Sequence, residues 1–215
     1  MPNHVECDLV IRGDPETLRA FVAYAAGPAG TGIGELETAL LSAHRFIPMP
    51  KELAETESGS FGSVGYDAWY GDAVEILQYP WVKDAGVASR EELKEFLRAK
   101  DPRYEEMANR YRENLERFGS PTWYEWAVAK WGTKWGLYDI EATDAGFEYG
   151  RISYTFQTAW SPPIPVIEAM SKQYPSLHFA LDYFEGGGGF MGSCVYENGQ
   201  EVEAGQAPYH GNRGG

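Results

Sequence analysis

Residues 120–142 read SPTWYEWAVAKWGTKWGLYDIEA, and the fold turns on where this stretch changes from helical to strand period. Ser120 is a plausible N-cap and Pro121 suits the first helical position, so a helix is expected to run to about Trp131. Gly132 breaks it, and a strand is expected from Lys134 to Ala142. The stretch also holds Trp123, Trp126, Trp131 and Trp135, four of the seven tryptophans in the chain. One buried indole removes roughly 200 Å² from water, so a packing centre is expected here.

Downstream, residues 144–146 read as a turn, and residues 147–158 alternate in the period of two that marks a half-buried strand. In that reading Glu148, Ile152, Tyr154 and Phe156 share one face. The pair forms a hairpin. Residues 161–165, SPPIP, are a stiff lead-in to a helix over residues 166–173, with Ile167 and Met170 facing inward. Residues 177–184 alternate again, with Leu177, Phe179, Leu181 and Tyr183 on one side. Four glycines then turn the chain into a strand over residues 190–197. Asn198-Gly199 is a strong type I′ signal that pairs residues 200–203 back onto it.

At the other end, residues 3–12 alternate with Val5, Cys7, Leu9 and Ile11 on one side. Asp14 caps the following helix, Pro15 opens it, and Leu18, Phe21, Val22 and Ala25 form its apolar stripe. The first β-α joined to a later β-β-α-β is the split βαβ pattern. The expected fold is therefore α+β, a ferredoxin-like antiparallel sheet with a large, mainly helical insertion. A single domain is expected, with its core from residues 1–29 and 120–204, the insertion at 30–119 and a flexible tail at 205–215.

Within the insertion, residues 27–34 (GPAGTGIG) resemble a phosphate-binding loop only in composition. They follow a helix instead of a strand and lack the Lys-Ser/Thr ending, so they read as a connection. Residues 36–46 fit either a helix or a strand, and the prolines of FIPMPKEL make residues 46–53 extended. Residues 54–72, rich in Gly, Ser and Glu, read as an exposed loop. Ser89 and Glu92 form a capping box. A helix from Asp101-Pro102 onward places Tyr104, Met107 or Ala108, Tyr111, Leu115 and Phe118 on one face, opposite a mixed-charge surface.

Composition narrows the function. Against 18 Lys and Arg stand 32 Asp and Glu, a formal net charge of −14. Such a surface repels phosphate backbones and anionic headgroups and attracts basic partners, so nucleic acid and membranes are disfavoured. Cys7 and Cys194 are too few for a disulfide framework or a four-cysteine zinc site. The N-terminal sequence has neither the basic nor the apolar region of a signal peptide, and no apolar run approaches the roughly 20 residues that span a bilayer. A cytoplasmic location is expected.

Several stretches carry a resemblance. MPNHVECDLVIRGD, FIPMP, PTWYEWAVAKWGTKW followed by YD, and FQTAWSPPIPVIEAMSKQYPSLHF are similar to the Api92-like proteins, whose N-terminal region is called the YubB ferredoxin-like domain. The resemblance covers most of the chain. It implies a ferredoxin-like fold and an origin in phages or conjugative plasmids. It implies no activity, cofactor or catalytic residue.

The residues themselves suggest four candidate constellations. His4, Glu6 and Asp8 alternate along the first strand and share a face, which reads as its polar, outward side. His178 and Asp182 lie four apart on one strand face and could form a metal or acid/base site with Glu148 or Tyr154. Lys134 sits inside the aromatic knot beside Trp135, where a cation-π contact is expected. Tyr149, Tyr154, Phe156, Phe184 and Phe190 could form a base-stacking platform on an open sheet. No nucleophile elbow, HExxH or CxxC occurs, so no catalytic residue, metal or cofactor is expected. The leading expectation is a non-enzymatic interaction protein of a phage or plasmid, an acidic inhibitor of a host nucleic-acid-handling or defence protein with a basic surface. A metal-dependent hydrolase and a single-stranded nucleic-acid binder are the alternatives.

Overall fold

The computed structural model describes residues 3–30, 38–144 and 146–209. They form two compact units, one from residues 1–49 and 127–215 and the other from residues 50–126.

The first unit is ferredoxin-like. Strand β1 (His4–Arg12) leads into helix α1 (Pro15–Ala25), whose start is fixed by the Asp14 carboxylate accepting from the Glu16 and Thr17 amides. Two short pieces, β2 (Gly27–Pro28) and β3 (Thr38–Ala39), pair with each other, and α2 (Ala43–Phe46) follows. The remainder of the glycine-rich connection, residues 31–37, lies outside the described residues.

Helix α3 (Lys51–Ala54), α4 (Ser60–Trp69), α5 (Pro80–Lys83), α6 (Arg90–Lys100) and α7 (Arg103–Phe118) belong to the second unit, and α8 (Trp123–Trp131) begins in the second and ends in the first. Strands β4 (Tyr138–Asp144) and β5 (Arg151–Ala159), helix α9 (Ile164–Gln173) and strands β6 (His178–Glu185), β7 (Phe190–Glu197) and β8 (Gln200–Pro208) complete the first unit. The six strands form one antiparallel sheet in the order β4-β5-β1-β6-β7-β8. The part ordered β4-β5-β1-β6 is the split βαβ arrangement, and β7 and β8 widen it on one side.

Alternation divides this sheet into two faces. Val5, Cys7, Leu9 and Ile11 of β1, Ile152, Tyr154 and Phe156 of β5, and Phe179 and Leu181 of β6 are buried. They pack with Leu18 and Phe21 of α1 and with Val166, Ile167 and Met170 of α9; the Phe21 and Phe179 rings lie 5.7 Å apart. Burying each such side chain contributes about 1.5–3 kcal/mol. Burial also pushes the Cys194 thiol up to about 12, so it behaves as a small apolar group.

Four sequence expectations are corrected. The strand expected from Lys134 begins only at Tyr138, because Gly132 and Gly136 are left-handed and Thr133 is tied to Ala159 through hydrogen bonds of 2.9 and 3.0 Å. Residues 147–149 form a 3₁₀ turn, not the start of β5. Gly150 closes that turn at φ 65°, where a Cβ would meet the Gly13 carbonyl oxygen at 2.7 Å. The tail expected from residue 205 is strand as far as Pro208, and residues 210–215 lie outside the described residues. Helix α8 is capped by Thr122, not Ser120: the Thr122 hydroxyl accepts from the Tyr124 amide at 3.2 Å.

In the second unit the expected loop over residues 54–72 contains α4. Its glycines are there for packing. A Cβ on Gly62 would run into the Tyr111 ring, and one on Gly65 into the Tyr104 carbonyl oxygen, so α4 and α7 approach at backbone distance. Val64, Ala68, Leu93, Leu97 and Tyr104 lie in the core beside this contact. The capping box of Ser89 and Glu92 is formed as expected. The tryptophans expected to share one centre are divided, since Trp126 is buried in the second unit and Trp131 in the first.

Candidate interaction site

The sheet face opposite α1 and α9 carries the other half of each alternation. On β1 it presents His4, Glu6, Asp8, Val10 and Arg12. Register sets Glu6 against Phe184, Asp8 against Asp182, Val10 against Ala180 and Arg12 against His178 of β6. On the other side of β1, Glu6 faces Gln157, Asp8 faces Thr155, Val10 faces Ser153 and Arg12 faces Arg151 of β5. β4 adds Glu141 opposite Thr155. β7 adds Ser193 opposite Asp182 and Glu197 opposite His178.

Charge is therefore unevenly distributed over this polar face. Arg12, Arg151 and His178 lie at the end where β1 finishes, with Asp144 and Glu197 beside them, while Glu6, Asp8, Glu141 and Asp182 occupy the middle and the opposite end without a cation in register. Two like carboxylates set directly across a strand pair repel one another. Burial and the neighbouring Asp8 both push the Asp182 carboxyl above the usual carboxylate range. A trough of about 630 Å³ runs beside this pair, lined by Asp8, Asp182, Phe184, Met191, Ser193, Gly205 and Ala207. It joins carboxylates to an apolar floor, which suits a group with a cationic head and a hydrocarbon stem. A second hollow of about 390 Å³ lies between Glu6 and Glu141.

His178 and Asp182 do share this face, as their spacing implies. The His178 Nε2 atom lies 3.8 Å from Glu197, and its Nδ1 is buried without a hydrogen-bond partner among the described residues. Glu148 and Tyr154 do not join them. Glu148 sits on the 3₁₀ turn with Arg19, Phe147 and Tyr149 around a separate hollow. Tyr154 is on β5, separated from β6 by β1, and points into the helix-covered core. The expected acid/base constellation is thus taken apart by the strand order. Among the described residues no three His, Cys, Asp or Glu side chains group so as to hold a metal ion.

The stacking platform is corrected in the same way. Tyr154 and Phe156 are core residues, Tyr149 stands on the turn, and Phe184 shares a stacked contact with Tyr209 at 5.8 Å. Lys134 and Trp135 lie in the turn between α8 and β4, where the Lys134 ammonium is 4.9 Å from the Trp135 ring and 4.7 Å from the Trp160 ring. The expected cation-π contact is present, with a second indole that the spacing gave no reason to expect. Trp160 adopts φ 72°, an unusual backbone for a bulky residue, and its amide donates to the Asn3 carbonyl at 2.9 Å.

Asp8 is singled out from sequence only with His4 and Glu6 as a polar strand face, and Glu141 and Ser153 are not candidates. The alternation of β1 places Asp8 on the polar side, but its meeting with Asp182 depends on a strand pairing between distant parts of the chain.

Residues 130–211 match the family described as the ferredoxin-like domain in Api92-like protein. Among solved structures, the protein Api92 from Yersinia pseudotuberculosis is similar over 99% of this chain and 100% of that one, at 12% identity and a TM-score of 0.48. None of the curated proteins matches the chain.

Proposed function

We propose that this chain, whose residues 130–211 carry the ferredoxin-like domain of Api92-like proteins, is a protein-binding module that docks a basic partner on the polar face of its sheet. One observation carries the reading: Asp8 and Asp182 are register partners in the middle of that face and wall a trough floored by Phe184, Met191 and Ala207. Setting like charges side by side costs stability, and a cationic partner offsets that cost on binding. The net charge of −14 adds long-range attraction, which speeds encounter and weakens with salt.

The partner class that fits is a protein with an exposed lysine- and arginine-rich surface, of the kind that handles nucleic acid. The acidic face then takes the place of a phosphate backbone, and the module acts as an inhibitor encoded by a phage or plasmid. The test is capture from nuclease-treated bacterial lysate at low salt, in parallel with the wild type and an Asp8→Asn, Asp182→Asn double variant. A basic protein held by the wild type, released by salt or by an added DNA duplex and lost from the double variant, is the expected result. Equal capture by both proteins sinks the proposal.

A further inference from the structure

Resting on that reading, we propose that the polar face contains one built pocket for a single cationic side chain, in which a partner lysine or arginine donates a hydrogen bond to Ser153. Ser153 is 7% exposed, and its hydroxyl oxygen is buried without a hydrogen-bond partner among the described residues. A buried hydroxyl in that state destabilises the fold, which makes it a position waiting for a ligand group. It lines a hollow of about 300 Å³ together with Asp8, Thr143, Asp144, Arg151 and Thr155.

The hollow is local to β1, β4 and β5. Ser153 pairs with Val10 on one side and Asp144 on the other. A register shift between Ala142 and Asp144 marks an irregularity of the kind that redirects side chains beside binding sites. The lining is acidic on balance, with Asp8 and Asp144 set against Arg151, and so favours a cation over an anion. Arg151 and Asp144 form an ion pair at 3.8 Å, longer than a hydrogen bond, so an entering donor competes with Arg151 for Asp144. An ammonium or guanidinium can donate to the Ser153 hydroxyl and a neighbouring carboxylate at once.

The experiment titrates the whole protein into fluorescein-labelled octa-arginine amide, with octalysine in parallel, and reads anisotropy at low salt. Wild type, Ser153→Ala, Ser153→Cys, Asp182→Asn and, as a control on α7, Glu113→Gln are compared, each with its melting temperature. The expected result is binding weakened about tenfold in Ser153→Ala and Ser153→Cys, with melting temperatures equal to or above that of the wild type. Asp182→Asn weakens binding too, and Glu113→Gln leaves it unchanged. If Asp182→Asn weakens binding while both Ser153 variants bind like the wild type, the pocket is overturned and the docking face survives. If the peptide fails to bind, or Glu113→Gln weakens it as much as Asp182→Asn does, both are overturned.

Discussion

Asp8 on β1 and Asp182 on β6 stand directly opposite one another on the polar face of the central strand pair. Sheets normally place opposite charges or small polar groups across such a position, because like charges there are destabilising. The fold tolerates the pair next to a trough with an apolar floor, which ties a local cost in stability to the surface best suited to a cation.

That cost is measurable. Burial first, and Asp8 second, hold the Asp182 carboxyl above its ordinary value. A carboxyl raised in the folded state stabilises fully when protonated, below its unfolded value, and this contribution is lost as pH rises through the folded value. Asp182→Asn should therefore raise stability at pH 7, by about 0.5 kcal/mol, and the gain should shrink as pH falls through the carboxylate range. Urea unfolding at pH 7 and pH 4 checks it; a variant less stable than the wild type at pH 7 contradicts the assignment.

Gly65 tests the contact inside the second unit. A methyl group there meets the Tyr104 carbonyl oxygen, which is backbone and cannot rotate away. Although alanine is the better helix former by about 1 kcal/mol, Gly65→Ala should destabilise by about 1–3 kcal/mol through overpacking. Denaturant titration followed by hydrogen exchange on α4 and α7 would locate the loss. A neutral or stabilising effect would mean that the two helices have room to separate.

Gly62 and Gly65 also show where sequence reading fails. Composition made residues 54–72 a loop, yet the glycines serve a close approach to Tyr104 and Tyr111, about forty to fifty residues further on, and no local signal contains that partner. Signals that close within a few residues were legible: the Asp14 cap, the Ser89 and Glu92 box, the alternation of β1, and the Asn198-Gly199 turn with φ values of 48° and 69°. The candidate site divides on the same line. His178 and Asp182 share a face because strand geometry requires it. Glu148 and Tyr154 fail to join them, since a 3₁₀ turn and the interposed β1 are set by long-range pairing. The surroundings of the Ser153 hydroxyl, which has no hydrogen-bond partner among the described residues, depend on three strands at once.

The four glycines between β6 and β7 depend on a buried acid. The Glu185 carboxylate is 3% exposed and accepts from the Gly187 amide at 2.7 Å, from the Gly188 amide, and from the Asn3 side chain at 3.4 Å. Glu185→Ala strips these donors of their acceptor and should cost about 2 kcal/mol, with amide exchange accelerated at residues 187 and 188. Unchanged exchange there would show that the turn holds itself.

Trp131 separates volume from hydrogen bonding in the first unit. Its ring is fully buried, lies 4.8 Å from the His44 ring and donates its indole N–H to the Ile47 carbonyl at 2.8 Å. Trp131→Ala removes both contributions and should destabilise this unit by about 3–5 kcal/mol. Trp131→Phe keeps most of the apolar body but leaves the Ile47 carbonyl without its donor, which should cost about 1–3 kcal/mol. Because the chain has two compact units, one unfolding midpoint need not describe both, so hydrogen exchange resolved to β1, α9 and β6 is the proper readout. Equal losses from the two variants would place the whole effect in the hydrogen bond, and the indole would then anchor the Ile47 segment more than it fills the core.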